Sequence, residues 1–325
     1  MKKIIGILMV LALMFSLTAC GGTGATNSAG GATPMTMGTG GTAGTYYAYG
    51  GVLGGQIKNL TGIDVNVVST DGSKANIIGI KKGTYQLGTV QSDVMAYAWQ
   101  GTRTFEKEGK VDSFRTVAGL YAETVQLVTM DPAIKSVKDL KGKKVSIGAP
   151  GSGVYFNAID VLAAAGLTED DIIAQKQSFA DSADALKDNK IDAAFIVAGA
   201  PTPAIQQLST TNDVYLVPID GDIAAKLMEG DSSFYTATKI PANTYKGQAA
   251  DVNTVSVKAT LVVSASASEE DVYNITKAIF ENISSINHAK SAELSLENAT
   301  TGMAVPFHAG AAKYFAEKNI TVATK

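Results

Sequence analysis

The segment VSIGAPGSGVYFNA at residues 145–158 joins a short apolar run, a glycine-rich turn and the start of an apolar helix. Three other segments have the same order: TMGTGGTAGTYYAYGG at 36–51, STDGS at 69–73 and GTVQSD at 88–93. Strands that alternate with helices in this way predict α/β layers with mainly parallel strands. Each turn would place free backbone N–H groups and the positive end of a helix at the carboxyl edge of the sheet, where such sheets bind ligands. Four turns of this kind predict a polar cleft that accepts anions.

Two long β-type stretches divide the chain, at residues 115–130 and 253–263. If both run between two lobes, the chain leaves the first lobe, builds the second and then returns. We therefore expect lobe I to contain residues 34–122 and 263–325, and lobe II to contain residues 123–262. A ligand cleft would lie between the two lobes.

Helical segments can be placed between the strands. The clearest covers residues 269–286, where Ser268 supplies an N-cap and apolar residues recur at helical spacing. Shorter helices are expected at residues 46–59, 154–165 and 181–188.

The start of the chain indicates export. Two lysines precede an apolar run at residues 4–17, which is shorter than the roughly 20 residues of a transmembrane helix. The next feature is Cys20, in a context that resembles the bacterial lipobox. We predict a lipoprotein signal peptide at 1–19, a lipidated Cys20, a flexible linker at 20–33 and an extracytoplasmic protein anchored by its lipid to the outer face of the cytoplasmic membrane. The alternative is a plain signal peptide that ends at a cysteine.

The composition limits the classes of function. The chain has 325 residues, of which 46% are hydrophobic, and this is enough for two domains. Its single cysteine cannot form an intramolecular disulfide. The formal charge of −3 becomes −5 when the two lysines of the signal peptide are removed. A negative chain argues against binding of nucleic acid and against a polybasic membrane patch.

Catalytic and metal-binding patterns are missing from the sequence. It has two histidines, and no HExxH motif, GxSxG motif or Cys/His cluster. Ser92 beside Asp93 would need a histidine base within reach, and none is near in sequence. Residues 38–43 fit a dinucleotide-binding glycine pattern, but the acid expected about 20 residues later is not well placed. We therefore expect neither an enzyme nor a metal or cofactor site.

Several segments in a fixed order carry a family resemblance. They are VKDLKGKKVSIGAPGSG at 137–153, IDAAFIVAGAPTPAIQQL at 191–208, PANTYKGQAADVNTVSVKATLVV at 241–263 and SLENATTGMAVPFHAGAAKYF at 295–315. Together with the glycine-rich start and the GTVQSD turn, they resemble the TAXI-type solute receptors of TRAP transporters. The resemblance covers about residues 35–315.

The resemblance implies a periplasmic-binding-protein fold of type II, with two α/β lobes joined by crossing β-strands around a ligand cleft. It also implies closure on a small organic anion, either a glutamate-like amino acid or a dicarboxylate such as 2-oxoglutarate. The receptor, which we expect to be a monomer, would deliver this ligand to a TRAP membrane permease with fused small and large subunits. Two alternatives stay open: an ABC-importer receptor of the taurine or thiamine-precursor type, and the ligand-binding component of a sensor.

Applied to the turns above, the resemblance gives a set of candidate ligand-binding residues. Backbone N–H groups, hydroxyls and the Gln91 amide would hold carboxylate oxygens, and Tyr46 would cover the carbon skeleton of the ligand. Asp93 would either accept from a ligand ammonium or hydroxyl group or cap its helix. Neither of the two arginines lies in these motifs, so an anion would depend on neutral dipoles, helix ends and Lys74. The candidates are Gly41, Thr42, Gly44, Tyr46, Ser73, Gln91, Ser92, Asp93, Gly151, Ser152, Gly153, Asn157, Pro201 and Thr202.

Overall fold

The computed structural model describes residues 33–229 and 234–325. The predicted signal peptide, the lipidated Cys20 and the predicted linker up to residue 32 lie outside this range, and they stay predictions. In the part of the chain that is described, no helix is both long and apolar enough to cross a bilayer.

One mixed β-sheet of ten strands runs through the described residues. The strands are β1 Met35–Gly38, β2 Val65–Val68, β3 Leu87–Gln91, β4 Phe114–Thr129, β5 Lys144–Ser146, β6 Ile173–Gln175, β7 Ala193–Ala198, β8 Tyr215–Val217, β9 Thr236–Ile240 and β10 Val252–Ser264. Their order along the main path is β2-β1-β3-β10-β4-β7-β5-β6, while β8 pairs with β4 and β9 with β10.

Ten α-helices connect or follow these strands within the described ranges. Three of the four predicted helices agree with the structure to within two residues at each end, and the fourth, 269–286, is too long. The helices are α1 Thr45–Thr61, α2 Ser73–Lys81, α3 Ser92–Gln100, α4 Val154–Ala164, α5 Phe179–Lys187, α6 Pro203–Thr211, α7 Gly221–Met228, α8 Glu269–Phe280, α9 Leu296–Thr300 and α10 Ala309–Glu317.

The early end of α8 has a physical cause in α1. The side-chain amide of Gln56 donates to the carbonyl groups of Ala278 at 2.9 Å and Asn282 at 3.2 Å. The side chain of Asn282 also donates to Ala278, at 3.2 Å. These contacts occupy carbonyl groups that another helical turn would use. The chain therefore leaves the α-helix and forms a 3₁₀ turn at Ile283–Ser285.

Two long strands, β4 and β10, run side by side through the middle of the sheet. Elements β1–β3, α1–α3 and α8–α10 form lobe I, and β5–β9 with α4–α7 form lobe II. Lobes joined by two crossing strands are the type II architecture, so the predicted fold class is confirmed. The predicted lobe boundaries, after residues 122 and 262, fall inside β4 and β10. The assignment of single residues to a lobe stays a prediction.

The sheet is mixed, which corrects the expectation of mainly parallel strands. The pairs of β1 with β2 and β3, and of β5 with β6 and β7, are parallel. All pairs that involve β4 or β10 are antiparallel. The reason is that each crossing strand runs against its neighbours in both lobes.

Each lobe has hydrophobic clusters of its own. In lobe I, one cluster includes Leu53 of α1 and Ile279 of α8, and a second includes Ile77 of α2 and Val94 of α3. In lobe II, α4 and α7 pack in one cluster and α5 and α6 in another. Burial of these side chains stabilises the core of each lobe. The space between the lobes can therefore be lined by polar groups without loss of either core.

Candidate functional site

A cavity of about 360 Å³ lies between the two lobes. This volume suits a small molecule. All four turn segments singled out in the sequence reach it, one on each side of β2 and one each at the ends of β3 and β5. The lining residues are Gly40, Gly41, Thr42, Ala43, Gly44, Thr45, Tyr46, Ser69, Thr70, Asp71, Gly72, Ser73, Gln91, Glu123, Ala149, Ser152, Gly153, Val154, Ser178, Phe179, Ala180, Val197 and Ala198.

Five helices, α1 to α5, begin at the wall of this cavity. Their N-cap residues are Gly44, Gly72, Gln91, Gly153 and Ser178, and all five line it. Only Ser178 closes its helix end with a side-chain hydrogen bond, accepted from Asp181 at 3.2 Å. The positive ends of several helices therefore point toward one small space, which favours a negatively charged group there.

Gly151 joins the lobes rather than lining the cavity. Its carbonyl oxygen accepts the backbone N–H groups of Lys74 at 3.1 Å and Ala75 at 3.3 Å, at the start of α2. Its φ of +87° belongs to the left-handed region, which glycine adopts readily. A second contact joins Thr45 to the carbonyl oxygen of Gly199 at 2.7 Å. Both contacts hold the lobes together at the rim of the cavity.

Gln91 is the last residue of β3 and is 2% exposed. Its Nε2 donates to Oδ1 of Asn157 at 2.9 Å, and Nδ2 of Asn157 donates to Oδ2 of Asp93 at 3.0 Å. Nδ2 of Asn157 also donates to the Tyr235 hydroxyl at 2.9 Å, and this hydroxyl gives its own proton to Asp160, so the chain of bonds fixes the orientation of both amides. Among the described residues, Oε1 of Gln91 has no hydrogen-bond partner. The site thus presents a buried acceptor, whereas we had expected the Gln91 amide to donate to the ligand.

Asp93 lies behind the cavity, in the first turn of α3, and is not one of the lining residues. Burial raises the pKa of Asp93 to about 7, against hydrogen bonds from the Val94 backbone and the Asn157 side chain that lower it. The sequence left two roles open for Asp93, contact with the ligand or capping of its helix. Its position behind the cavity favours the role at the helix end. Asp93 orients Asn157 and, through it, Gln91.

Tyr46 lines the cavity from the first turn of α1, as expected for a residue that would cover a ligand. Its hydroxyl group is buried and has no partner in the described part of the chain. Burial raises the pKa of Tyr46 well above its usual value, so the hydroxyl keeps its proton and can donate. Nearby, Ser73 accepts the backbone N–H of Gln91 at 3.1 Å and so fixes the end of β3.

Glu123 is a lining residue that the sequence analysis missed. It lies in β4, is 2% exposed, and its Oε1 accepts the backbone N–H of Gly199 at 3.2 Å. Burial raises the pKa of Glu123 to about 8, although the positive charge of Lys290 lowers it. A signal was available, because Glu123 is the one acidic residue in the whole of β4.

Eight of the fourteen predicted residues line the cavity and six do not. Whether any of them binds a ligand stays a prediction. The residues on the wall are Gly41, Thr42, Gly44, Tyr46, Ser73, Gln91, Ser152 and Gly153, and those off it are Ser92, Asp93, Gly151, Asn157, Pro201 and Thr202.

Several of the residues off the wall hold the strands in place. Ser92 accepts the backbone N–H of Lys258 in β10 at 3.1 Å. Thr202 accepts from Nε2 of Gln126 at 2.8 Å, and its own backbone N–H donates to the Tyr245 hydroxyl at 2.9 Å. Pro201 precedes it in the turn between β7 and α6. The contacts of Thr202 support the β7 side of the cavity from behind, and that of Ser92 joins α3 to β10.

The start of α5 was also missed. The predicted helix began at residue 181, whereas α5 begins at Phe179 after the N-cap Ser178, and both line the cavity. The sequence signal was Ser178 with Asp181 three residues later, a common helix start.

A polar clasp closes one side of the interlobe space. We give this name to Tyr97 and Arg103 of lobe I with Phe156, Asp160 and Tyr235 of lobe II. Arg103 forms an ion pair with Asp160 at 2.7 Å, and Tyr235 donates to the same carboxylate at 2.9 Å. The guanidinium group of Arg103 lies 5.0 Å from the ring centre of Tyr97 and 5.4 Å from that of Phe156. An arginine outside the predicted motifs thus joins the lobes.

Within residues 33–229 and 234–325, no group of three or more histidine, cysteine, aspartate or glutamate residues is arranged to hold a metal ion.

The profile of the NMT1-like family matches residues 37–318 of this chain. The chain belongs to the NMT1-like family. Among solved structures, this NMT1-like protein is similar to one from Bordetella bronchiseptica RB50, with a TM-score of 0.55, 18% identity and coverage of 90% of this chain and 84% of that one. At this level of identity, the similarity between the two structures shows a common fold.

Two further similar structures have lower TM-scores. The periplasmic aliphatic sulphonate binding protein SsuA from Escherichia coli has a TM-score of 0.46 and 16% identity, with 81% of this chain and 80% of that chain covered. A putative L-cystine ABC transporter from Listeria monocytogenes has a TM-score of 0.47 and 15% identity, with 81% of this chain and 94% of that chain covered.

Proposed function

We propose that this NMT1-like protein is an extracytoplasmic solute-binding protein that captures a small organic anion between its lobes and delivers it to a membrane importer. The observation that carries the proposal is the cavity of about 360 Å³ at which five helices begin. Helix ends supply N–H donors and positive potential, and the Tyr46 hydroxyl adds an unpartnered donor among the described residues. We propose no catalytic step.

Lobe movement would couple binding to delivery. Contacts across the interlobe space include polar ones that can open and close, such as those of Gly151 with α2 and of Arg103 with Asp160. The crossing strands β4 and β10 are the covalent links between the lobes, and we expect them to contain the hinge. Ligand would then favour the closed form by binding to groups of both lobes at once.

Two kinds of importer are compatible with this receptor. Membership of the NMT1-like family favours the ABC-importer alternative over the TAXI-type TRAP receptor that the sequence segments resemble. Genes beside this one test the choice: an ATPase with a separate permease supports the ABC importer, and one large fused permease supports the TRAP transporter. A kinase gene with no permease would instead support a sensor.

The proposed attachment to the outer face of the membrane depends on Cys20, which lies outside the described residues. The test is metabolic labelling with a radioactive fatty acid in cells that express the natural chain or Cys20→Ser. We expect label on the natural chain alone. Equal absence of label from both proteins would remove the lipid anchor from the proposal, and a plain exported protein would remain.

Binding itself is tested by calorimetry on the purified chain without its signal peptide. The panel contains dicarboxylates and acidic amino acids of four to six carbons, and small molecules released by denaturing the purified protein are identified by mass spectrometry. We expect at least one acid to bind with micromolar affinity. Absence of heat with every acid, together with absence of a released small molecule, would contradict the proposed function.

Two substitutions probe the wall of the cavity and its support. Gln91→Ala and Asn157→Ala break the bond of 2.9 Å that joins the lobes beside the cavity. We expect each to weaken ligand binding by roughly tenfold, which corresponds to about 1.4 kcal/mol, while the protein stays folded. Circular dichroism checks the fold. Unchanged affinity in both variants would mean that the ligand binds elsewhere.

A further inference from the structure

The charged side chains that line the cavity are all acidic in the described part of the chain. They are Asp71 and Glu123, with no lysine, arginine or histidine beside them. Helix ends can hold one anionic group of a ligand, but they do not explain why a buried carboxyl group faces the same space. A carboxyl group that is 2% exposed is costly to ionise unless a positive charge lies beside it, and the Gly199 N–H that Glu123 accepts carries no full charge.

Lys290 acts on Glu123 with its positive charge but is shared with a second carboxyl group. Lys290 lies behind Gly199, where its Cε would be 2.8 Å from a Cβ atom on that glycine. Its Nζ is bound to Oε1 of Glu293 at 2.7 Å. One lysine thus faces two carboxyl groups and does not offset the burial of Glu123, whose pKa is raised to about 8. A cationic nitrogen on the ligand would supply the missing positive charge and allow Glu123 to ionise.

Gln91 gives independent support from lobe I. Its Oε1 is buried and unpartnered within the described ranges, and the bonds through Asn157 fix that atom as an acceptor. It sits against Gly153, where a Cβ atom would overlap it. Two acceptors, one from each of two different strands, therefore face one cavity. Both require N–H or O–H donors from the molecule that fills it.

We propose that Glu123 is the specificity-determining residue, which binds a protonated nitrogen of the ligand, while Gln91 accepts a second N–H from the same ligand. This inference rests on the proposed function and narrows its substrate class. The ligand is a small zwitterion: its acid group lies at the helix ends and its nitrogen lies at Glu123. A dicarboxylate without nitrogen would bring a second negative charge to the carboxyl group of Glu123 and leave Oε1 of Gln91 without a donor.

The test uses pairs of compounds that differ in one amino group: L-glutamate with glutarate and 2-oxoglutarate, and L-aspartate with succinate. Affinities are measured by calorimetry at pH 7 on the natural protein and on Glu123→Gln, which keeps the size of the side chain and removes its charge. We expect the amino acid of one pair to bind at least tenfold more tightly than its nitrogen-free partner. In Glu123→Gln this preference falls by at least tenfold, because a charge-assisted hydrogen bond is lost.

Glu270→Gln is the matched control, since it makes the same chemical change on the exposed surface of α8. It should keep the natural preference. Equal or tighter binding of a nitrogen-free acid by the natural protein would overturn the proposal, and this result needs no variant to fold. An unchanged preference in a folded Glu123→Gln would also overturn it. Binding of no compound at all would instead contradict the proposed function, and the inference with it.

Discussion

Gly153 shows how closely the cavity depends on single residues. It is the N-cap of α4 in lobe II, and a Cβ atom added there would overlap Oε1 of Gln91 in lobe I. The absence of a side chain is what lets the two lobes approach at this point. Gly153 thus sets the distance between the helix end and the acceptor across the cavity.

We predict that Gly153→Ala weakens ligand binding by at least tenfold, because the new methyl group displaces Gln91 or keeps the lobes apart. Calorimetry with the ligand of the natural protein measures the effect. Gly55→Ala is the control: it lies on an exposed face of α1, where an added Cβ meets nothing within 4 Å. That change should leave affinity unchanged and raise the free energy of unfolding by about 1 kcal/mol. If Gly153→Ala binds the ligand with the same affinity as the natural protein, the lobes do not meet at Gly153.

For single residues, the sequence patterns predicted the turns that line the cavity but not every side chain in its wall. Glycines and hydroxyl residues after β-type runs signal a helix start at a sheet edge, and eight predicted residues do line the cavity. Glu123 was missed because it lies inside a strand, where periodicity alone does not tell which face a side chain occupies across a crossing point. Asn157 was placed on the wall, yet it lies behind Gln91, and only the three-dimensional arrangement separates these two positions.

Among the elements, local signals predicted most bounds and long-range contacts decided the exceptions. The crossing strands differ from their predicted ranges by one residue at each end. Helix α8 was overestimated because Gln56, far away in sequence, takes its last carbonyl groups. The antiparallel direction of the crossing strands could not be predicted from the sequence pattern. The alternation of strands and helices along the chain does not give the order of the strands in the sheet.

The polar clasp between the two lobes gives a prediction for the closed form. Arg103→Ala removes the ion pair with Asp160, which is 18% exposed and therefore only partly screened. We expect ligand affinity to fall about fivefold and the radius of gyration in solution with ligand to rise. Calorimetry and small-angle X-ray scattering measure the two quantities. Lys141→Ala, which breaks an exposed ion pair with Asp171 inside lobe II, should change neither. Equal affinity in Arg103→Ala and the natural protein would show that the clasp does not stabilise closure.

For the whole molecule, the buried acids predict how stability changes with pH. Burial raises the pKa of Asp93 to about 7 and that of Glu123 to about 8, above the ordinary carboxylate values of the unfolded chain. At pH values between the ordinary carboxylate pKa values and these raised ones, the folded state binds more protons than the unfolded state. The free energy of unfolding must therefore fall as pH rises, by up to about 1.4 kcal/mol per pH unit for each group.

Urea denaturation at pH 5, 6, 7 and 8 measures this slope. We expect the natural protein to lose stability from pH 5 to pH 8, and Asp93→Asn and Glu123→Gln each to show a smaller loss. The exposed control Glu270→Gln should keep the natural slope. A natural protein that is equally stable at pH 5 and pH 8 would show that neither carboxyl group is held as described.

The position of β10 has a consequence for how the chain can be made. This strand lies between β3 and β4, so both wait with unpaired edges until residue 264 has left the ribosome. A nascent chain that already contains all of lobe II still has an open sheet in lobe I. Lobe I therefore cannot complete its sheet until about four fifths of the chain has been made.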